Sequence, residues 1–156
     1  MRTISKRTQY GIKAVLALAR RYGQGPVLIA SVSHDEAIPI KFLEGILLNL
    51  KSRGLLTSKT GKGGGYQLSR APSAITVGTL IRMIEGPLAP LPCASESAYK
   101  PCAECHDVER CGTRIIMRQV RDAMAEVLDS TSLADLLKQV DAVKPKAKPE
   151  DLMYYI

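Results

Sequence analysis

All four cysteines of the chain lie in one polar stretch that runs from Cys93 to Cys111. Cysteines that act as small hydrophobic residues are usually dispersed through a core. These four instead stand among Ser, Glu, Lys, Pro and Asp, and Cys102 and Cys105 form a Cys-x-x-Cys pair. Soft thiolates gathered on a polar loop suit a soft metal ion or a metal–sulfur cluster. The stretch therefore indicates a metal or cluster site.

Other chemistry is also compatible with these thiols. Zinc takes four thiolates, although a strong zinc signal has a second Cys-x-x-Cys pair. A pair of thiols that closes to a disulfide on oxidation is a further alternative. An enzyme with Cys105 as nucleophile beside His106 is disfavoured, because no orienting Asp or Asn and no oxyanion site follow at a recognisable spacing. We therefore predict no enzyme. We expect His106 to face solvent or to support a ligand, and the alternative is that it replaces one cysteine as a ligand.

The positive charge of the chain is concentrated in its N-terminal half. The net charge is +7; residues 1–70 contain twelve Lys or Arg against three Asp or Glu, and residues 71–156 contain ten against twelve. With six Tyr, one Phe and no Trp, the chain has little aromatic surface for stacking single-stranded bases. A solvated basic face is the alternative, but the N-terminal half is the candidate partner of a polyanion.

Nothing in the sequence indicates export or membrane insertion. Residues 1–7 contain no apolar signal region and no small-residue cleavage site. No window approaches the roughly eighteen consecutive apolar residues of a membrane span. We therefore expect a cytoplasmic bacterial protein without a membrane partner, where a Cys-x-x-Cys pair more often binds metal or does redox chemistry than forms a structural disulfide.

The N-terminal half has the pattern of three helices followed by a hairpin. Helical periodicity covers 5–21, a short helix is predicted at about 28–36, and Pro39 opens a third helix that ends at Gly54. Two alternating segments then flank the glycine-rich turn at 61–65, as in a β-hairpin. A phosphate-binding loop is disfavoured, because no Gly-Lys-Ser/Thr ending and no helix follow the glycines. The predicted buried positions of the first and third helices are Ile12, Val15, Leu16, Ala19, Leu43, Ile46, Leu47 and Leu50.

This order of elements is that of a winged helix-turn-helix, in which the third helix enters the DNA major groove and the hairpin is the wing. A helical domain with a surface hairpin is the alternative, but the charge and the basic turn favour DNA binding. We predict a mostly α fold with a small β-hairpin wing, divided into a DNA-binding domain at 1–72 and a cysteine loop with dimerisation helices at 73–140. Residues 141–156 have the composition of a disordered tail.

Three more helices are predicted in the C-terminal part. One spans 75–85 and ends before Gly86, a long one spans about 113–128, and a short one follows Ser132, which forms a capping box with Asp135. The long helix is apolar over more than one face, so we predict that it packs against a second copy in a homodimer; packing within one chain is the alternative. Its predicted buried residues are Ile115, Ile116, Val120, Ala123, Met124 and Val127, and its predicted exposed residues are Arg114, Arg118, Arg121 and Glu126.

Five segments carry a resemblance to a known family: Tyr10-Gly11-Ile12-Lys13-Ala14, Ile40-Lys41-Phe42-Leu43-Glu44, Leu47-x-x-Leu50-x-x-x-Gly54-Leu55-Leu56, Gly61-x-Gly63-Gly64-Gly65-Tyr66-x-Leu68 and Ile84-Glu85-Gly86. Over about residues 1–140 the sequence resembles the winged-helix regulators that include the iron–sulfur regulator IscR and the nitric-oxide sensor NsrR. Members are dimers that bind operator DNA, and many carry an iron–sulfur cluster that tunes promoter choice. The resemblance implies the same fold, partners and cofactor here.

The cysteine loop departs from the three-cysteine pattern usual in that family. The five-residue gap before Cys111 matches, whereas the additional cysteine does not. Relatives often take a fourth ligand from a His where this chain has Arg114, or from a carboxylate on the first helix of the second subunit, where this chain has Thr8 and Gln9 nearby. Our hypothesis is a 2Fe–2S or 4Fe–4S cluster, with zinc as the alternative, held by the four thiolates of Cys93, Cys102, Cys105 and Cys111.

The resemblance also implies which residues contact DNA. Lys41 is placed to bind a guanine edge or a phosphate, and Glu44 to accept from cytosine N4. Relatives insert a wing Arg into the minor groove where this chain has Thr60, so phosphate contacts by the neighbouring lysines are expected instead. Gly45 stands where relatives have a longer polar residue, so a different operator is expected. The implied DNA-binding residues are Arg2, Pro39, Lys41, Phe42, Glu44, Lys51, Lys59, Thr60 and Lys62.

The sequence as a whole predicts a dimeric transcriptional regulator. Its binding to double-stranded operator DNA would be modulated by an iron–sulfur cluster in the loop, which senses redox state, iron–sulfur status or nitric oxide. The alternative is a winged-helix regulator whose loop binds zinc or switches between thiols and a disulfide, without iron.

Overall fold

The structure, a computed structural model, describes residues 4–143. Arg2 and residues 144–156 of the tail that was predicted to be disordered lie outside the described residues. Short 3-10 turns are formed by Pro72–Ala74 and by Pro92–Ala94, the second of which contains Cys93. In the described part, the helices and strands are α1 (Lys6–Arg20), α2 (Ile29–Asp35), α3 (Ile40–Ser52), β1 (Leu56–Lys59), β2 (Gly65–Leu68), α4 (Val77–Glu85), α5 (Gly112–Ser130) and α6 (Leu133–Ala142).

This order confirms the predicted mostly α fold with a small hairpin. Two details differ from the prediction. Pro39 is the N-cap of α3 and not its first helical residue. The last helix, α6, continues to Ala142, several residues beyond its predicted apolar segment. No helix between residues 4 and 143 combines the length and the apolar character needed to cross a membrane.

Polar side chains begin three of the helices. Ser5 accepts a hydrogen bond from the backbone N–H of Thr8 at the start of α1, and Thr76 accepts one from Thr79 at the start of α4. Ser132 and Asp135 form the predicted capping box of α6. Each cap satisfies a backbone donor that the helix itself leaves without a partner. These short helices therefore have defined starting points, which fix the faces that they turn inward.

One hydrophobic core joins the helix-turn-helix to the C-terminal segment. The predicted stripe of α3 is buried, and it packs with residues from α1, α4, the hairpin and α6. Leu133 of α6 is fully buried in this core, so the end of the chain is part of the same packed unit. The largest fully buried side chains are Leu18, Leu43, Ile46, Leu47, Leu50, Leu55, Leu56, Ile75, Leu80, Leu133, Val15 and Val32.

The hairpin is bonded to the segment between α1 and α2. Strands β1 and β2 pair antiparallel, with Leu56 opposite Leu68. Tyr66 then exchanges backbone hydrogen bonds with Val27, at 2.8 Å and 2.9 Å. A side chain at Gly65 would collide with the backbone of Val27, and one at Gly64 with the backbone of the turn. The glycine run is thus explained by close backbone packing, which further disfavours a phosphate-binding loop.

The long helix α5 corrects two predictions about burial. Arg121, predicted to be exposed, is only 7% exposed, because its guanidinium turns toward the start of the cysteine loop. Arg114 is half-buried for the same reason. Most of the apolar residues that were predicted to pack against a second copy are open in the single chain, with relative exposures of 46% for Ile115, 48% for Ile116, 38% for Val120 and 64% for Val127.

Candidate DNA-binding surface and cysteine loop

The exposed side of α3 carries the base-contacting residues that the sequence predicted. Because Leu43, Ile46, Leu47 and Leu50 take up the inner side, Lys41 and Glu44 project outward near the N-terminal end. Their charged groups are 3.7 Å apart, and the Lys41 side chain is 90% exposed. Phe42 is exposed as well and packs edge-on against the ring of Tyr10, with centroids 5.5 Å apart. This end of the helix therefore combines a cation, a carboxylate and an aromatic ring.

The turn of the hairpin presents a second basic site. Lys59 ends β1, and Thr60 and Lys62 follow in the turn, with all three side chains exposed. Lys51 is exposed at the last turn of α3. Exposed cations without close carboxylate partners are suited to phosphates, which fix the orientation of a protein on a duplex. Of the predicted DNA-binding residues, only Arg2 lies outside the described part of the chain.

Two arginines of α5 hold the start of the cysteine loop. Arg114 donates from Nε to the carbonyl oxygen of Cys93 at 3.1 Å, and its guanidinium lies 6.0 Å from the ring centroid of Tyr99. Arg121, two turns further along, donates from Nη1 to the carbonyl oxygen of Ala94 at 2.7 Å. A guanidinium has no free lone pair with which to bind a metal. Arg114, where relatives place a histidine, therefore has a structural contact with the loop backbone.

The rest of the loop is shaped by local turns. The backbone N–H of Cys105 donates to the carbonyl oxygen of Cys102, closing the Cys-x-x-Cys segment. The Asp107 carboxylate accepts from the backbone N–H groups of Glu109 at 3.1 Å and Arg110 at 3.2 Å. These bonds turn the chain between Cys105 and the start of α5. His106 is exposed, as expected for a side chain that faces solvent.

The thiols interact with one another. Partial removal from water, contact with the Cys111 thiol and the charges of the other three cysteines raise the pKa of Cys105 above its ordinary value. Cys111 lies at the N-cap of α5, where the backbone N–H of Arg114 and the contact with Cys105 lower its pKa. All four side chains retain some exposure, and Cys102 is the most open of them. The Cys105 thiol also donates to the carbonyl oxygen of Asp107 at 3.6 Å, and it lies near enough to Cys111 for each thiol to shift the pKa of the other.

The four thiols are of the right type to bind a soft metal, but they are not gathered into a metal-binding group. Four thiols on one loop are the ligands that iron–sulfur clusters and zinc prefer. Within residues 4–143, however, no three side chains of the His, Cys, Asp or Glu type form a metal-binding group. Thr8 of α1, at a position where relatives have a carboxylate ligand, is fully buried and donates a hydrogen bond to Glu85 at 2.7 Å.

The structure reveals positions that the sequence interpretation did not single out. Arg121 was assigned to the exposed side, and Glu85 was noted only as part of a motif. Leu48 was not singled out, although it follows Lys41 by seven residues and so shares its outward side. Its relative exposure is 56%. The helical spacing would have identified Leu48, whereas no local pattern points to the partners of Arg121 and Glu85.

Comparison with known proteins identifies the relatives of this chain. Residues 4–139 match the Rrf2 family, described as iron-dependent transcriptional regulators. The HTH-type transcriptional regulator CymR of Bacillus subtilis is 34% identical over 153 residues, covering 98% of this chain and 99% of the relative. The HTH-type transcriptional regulator IscR of Erwinia tasmaniensis is 31% identical over 137 residues, covering 88% of this chain and 79% of the relative.

Solved structures agree with the sequence relatives. CymR, described as the global cysteine regulator of B. subtilis, aligns with a TM-score of 0.72 at 34% identity, covering 89% of this chain and 98% of that one. T. potens IscR aligns with a TM-score of 0.71 at 31% identity, covering 99% and 97%. These similarities confirm the winged-helix fold, DNA binding and the absence of an enzymatic role. The chain belongs to the Rrf2 family of helix-turn-helix transcriptional regulators.

Proposed function

We propose that this regulator binds operator DNA as a homodimer and that a thiolate-held iron–sulfur cluster sets its affinity. DNA binding is assigned to residues 1–72, and sensing and dimerisation to 73–140. The observation that carries the proposal is that all four free thiols of the chain, Cys93, Cys102, Cys105 and Cys111, lie on one polar loop and retain access to solvent. The description of the family as iron-dependent supports iron as the metal.

The operator contacts follow from the exposed residues of α3 and the hairpin. Lys41 and Glu44 would contact base edges in the major groove, and Phe42 and Pro39 would lie at the same end of the helix. Lys51, Lys59, Thr60 and Lys62, together with Arg2, would contact the backbone. The excess of cations in residues 1–70 supports this division, because phosphate contacts supply most of the affinity for DNA.

A second copy of the chain would cover the exposed seam of α5. Ile116, Val120, Ala123 and Val127 are separated by four, three and four positions, which is the spacing of a coiled-coil contact. Solvent-exposed apolar rows of this kind are typical of interfaces. A two-fold dimer formed through α5 would present two copies of α3 to a palindromic operator. The seam and the cysteine loop share one helix, so a change in the loop would reach the dimer contact.

The chain's own residues define what a cluster would alter. A bound iron–sulfur cluster supplies a centre that exchanges electrons and reacts with nitric oxide. Arg114 and Arg121 of α5 donate hydrogen bonds to the carbonyl oxygens of Cys93 and Ala94. A change in the shape of the loop would therefore alter these bonds and, through them, the position of α5. The signal can shift operator binding only as far as the two loop states differ in their affinity for DNA.

A thiol switch without iron is the second candidate, and the contact between Cys105 and Cys111 favours it. The two thiols would lose two protons and two electrons to an oxidant and join as a disulfide. A solved Staphylococcus aureus CymR is described as an oxidised form, at 28% identity and a TM-score of 0.69. Zinc held by the same thiols is another alternative without iron.

Purification without oxygen distinguishes these candidates. If the cluster is present, the protein should be brown or red and should contain iron and sulfide in fixed ratio. Cys105→Ser should remove the colour and the iron, whereas Ser97→Ala, on the same exposed part of the loop, should retain both. Operator affinity measured with and without the cluster should differ in the wild type and not in Cys105→Ser.

Other results would assign a different role to the cysteine loop. Colourless protein with stoichiometric zinc would replace iron by zinc. Iron-free protein in which diamide links Cys105 to Cys111, as seen by mass spectrometry, and alters operator affinity would establish the thiol switch. If serine at all four cysteine positions leaves operator affinity unchanged in every redox state, the loop is not a sensor and only the DNA-binding function remains.

A further inference from the structure

The outward side of α3 changes character along its length. Lys41, Glu44, Gly45 and Leu48 follow the spacing i, i+3, i+4 and i+7, which places them on one side of the helix. The first two are charged, whereas Gly45 has no side chain and Leu48 is apolar. Leu48 is 56% exposed, and the space around a Cβ at Gly45 is open. The inner half of this side therefore offers no hydrogen-bonding side chain.

We propose that Leu48 contacts the 5-methyl group of a thymine in each operator half-site. The inference rests on the DNA-binding function proposed above, with α3 as the helix in the major groove. Thymine presents O4 and a methyl group to that groove, and an apolar side chain recognises the methyl group. Opposite cytosine, Leu48 would leave the exocyclic amine without an acceptor, which disfavours that base.

Gly45 allows this contact by letting the helix approach the bases closely. A side chain at position 45 would lie between Lys41 and Leu48 on the same side and would hold the helix away from the groove. In the described structure no atom beyond its chain neighbours and the backbone of α3 itself lies within 4 Å of the Cβ that another residue would have there, so the fold itself does not demand glycine. The glycine thus favours a short distance between the backbone of α3 and the DNA.

The surroundings of Leu48 favour DNA over a protein partner. Lys41 precedes it on the same side, and Lys51 and Arg53 are exposed at the end of the helix. The net charge of residues 1–70 is strongly positive, from twelve Lys or Arg against three Asp or Glu. An isolated apolar residue among cations is suited to a groove lined by phosphates, which surround methyl groups with negative charge.

The test uses a duplex that the full-length protein selects from a random pool. Each thymine of the selected half-site is replaced in turn by uracil, which removes only the methyl group. At one position the replacement should weaken binding about fourfold per methyl group. Leu48→Ala should bind the thymine duplex as weakly as the wild type binds the uracil duplex, and it should show no further loss with uracil.

Leu28→Ala is the matched control, because Leu28 is equally exposed at 56% but lies outside α3. This variant should retain the full uracil effect. A flat uracil scan on a selected duplex would overturn the methyl contact and leave the DNA-binding function intact. A Leu48→Ala variant with an unchanged uracil effect, or with an altered oligomeric state instead of altered DNA affinity, would also overturn it. Failure to select any duplex would overturn both the inference and the proposed function.

Discussion

Glu85 connects the first helix of the DNA-binding domain to the entry of the cysteine loop. Its carboxylate accepts hydrogen bonds from the backbone N–H of Ser5 at 2.8 Å and from the hydroxyl of Thr8 at 2.7 Å. Glu85 is the last residue of α4, and the loop segment begins at the following residue, Gly86. Thr8 is fully buried whereas Glu85 is exposed, so this contact lies at the edge of the packed core.

Replacing Glu85 tests how much this contact stabilises the fold. Glu85→Ala should lower the free energy of unfolding by about 1–3 kcal/mol, because the buried Thr8 hydroxyl loses its acceptor. Glu85→Gln keeps an acceptor oxygen and should retain most of the stability. Urea denaturation followed by circular dichroism measures both variants. Equal losses in the two variants would show that the charge, and not the hydrogen bond, is responsible.

The sequence did not predict the partners of Thr8 and Glu85 because they are far apart along the chain. Thr8 was noted only as a position that lacks a metal ligand, and 77 residues separate it from Glu85. Helical periodicity and capping patterns are local. They identified where α4 ends and where α6 begins, but they could not identify a bond between the start of α1 and the end of α4. The single apolar and polar positions of α3 were predictable for the opposite reason, since their burial follows from spacing within one helix.

Helix α5 has two different sides, an exposed apolar row and a side that is bonded to the cysteine loop. Its apolar seam is open in the single chain, and Arg114 and Arg121 bind the loop backbone from another side. The sequence predicted the helix and its apolar content but assigned Arg121 to solvent. A hydrophobic pattern shows which residues avoid water. It does not show that Arg121 donates a hydrogen bond to the carbonyl oxygen of Ala94 in the preceding loop.

Loss of Arg121 should loosen the cysteine loop more than it unfolds the protein. In Arg121→Ala the carbonyl oxygen of Ala94 loses its donor, at a cost of about 1–3 kcal/mol. Hydrogen exchange should become faster across residues 93–111. Arg118→Ala, an exposed arginine of the same helix, is the control and should leave the exchange of the loop unchanged. Uniformly faster exchange in the whole chain would argue that Arg121 stabilises the core instead.

The contact between α4 and α5 should weaken in acid. The Arg82 guanidinium donates to Asp129 at 2.5 Å and 2.8 Å and lowers the pKa of that carboxyl below its ordinary value of 3.8. A carboxyl with a lowered pKa stabilises the fold above its unfolded pKa, and the contribution is lost as the pH falls through the folded value.

We therefore expect Asp129→Asn to be less stable than the wild type at pH 7, and we expect the difference to shrink as the pH falls below 3.8. Both partners are more than a third exposed, so the difference at neutral pH should not exceed about 1 kcal/mol. Thermal unfolding of the two proteins across this range measures it. A difference that stays constant down to the acid end would mean that packing, and not ionisation, separates the variants.

For the whole molecule, the excess of positive charge in the N-terminal half predicts that the affinity for DNA falls as the salt concentration rises. Lys62→Ala should weaken binding to all duplexes about equally and should reduce the slope of log affinity against log salt by about one for each wing that contacts a phosphate. Lys138→Ala, which removes an exposed lysine from α6, should leave the slope unchanged. A loss confined to one operator sequence would show that the wing contacts bases.

The sequence predicted the architecture of the whole molecule better than it predicted the arrangement of the cysteine loop. Helix order, hairpin and family follow from local patterns and from several matched segments. The four cysteines were identified as a group, but their positions relative to one another depend on Arg114, Arg121 and the turn at Asp107, which act through backbone groups. Backbone hydrogen bonds of this kind leave no signature in residue type, so the open arrangement of the thiols could not be predicted.

The backbone bonds between Val27 and Tyr66 have a consequence for how operators are distinguished. They join the hairpin to the segment between α1 and α2, and β1 also packs against α3, so the wing is tied to the rest of the DNA-binding part. In the dimer proposed above, each head would therefore tilt as one unit, and a signal passed along α5 would change the distance and the phase between the two heads. Operators with the same half-sites but different spacers, varied through one turn of about 10 base pairs, would then rank differently in the two signalling states.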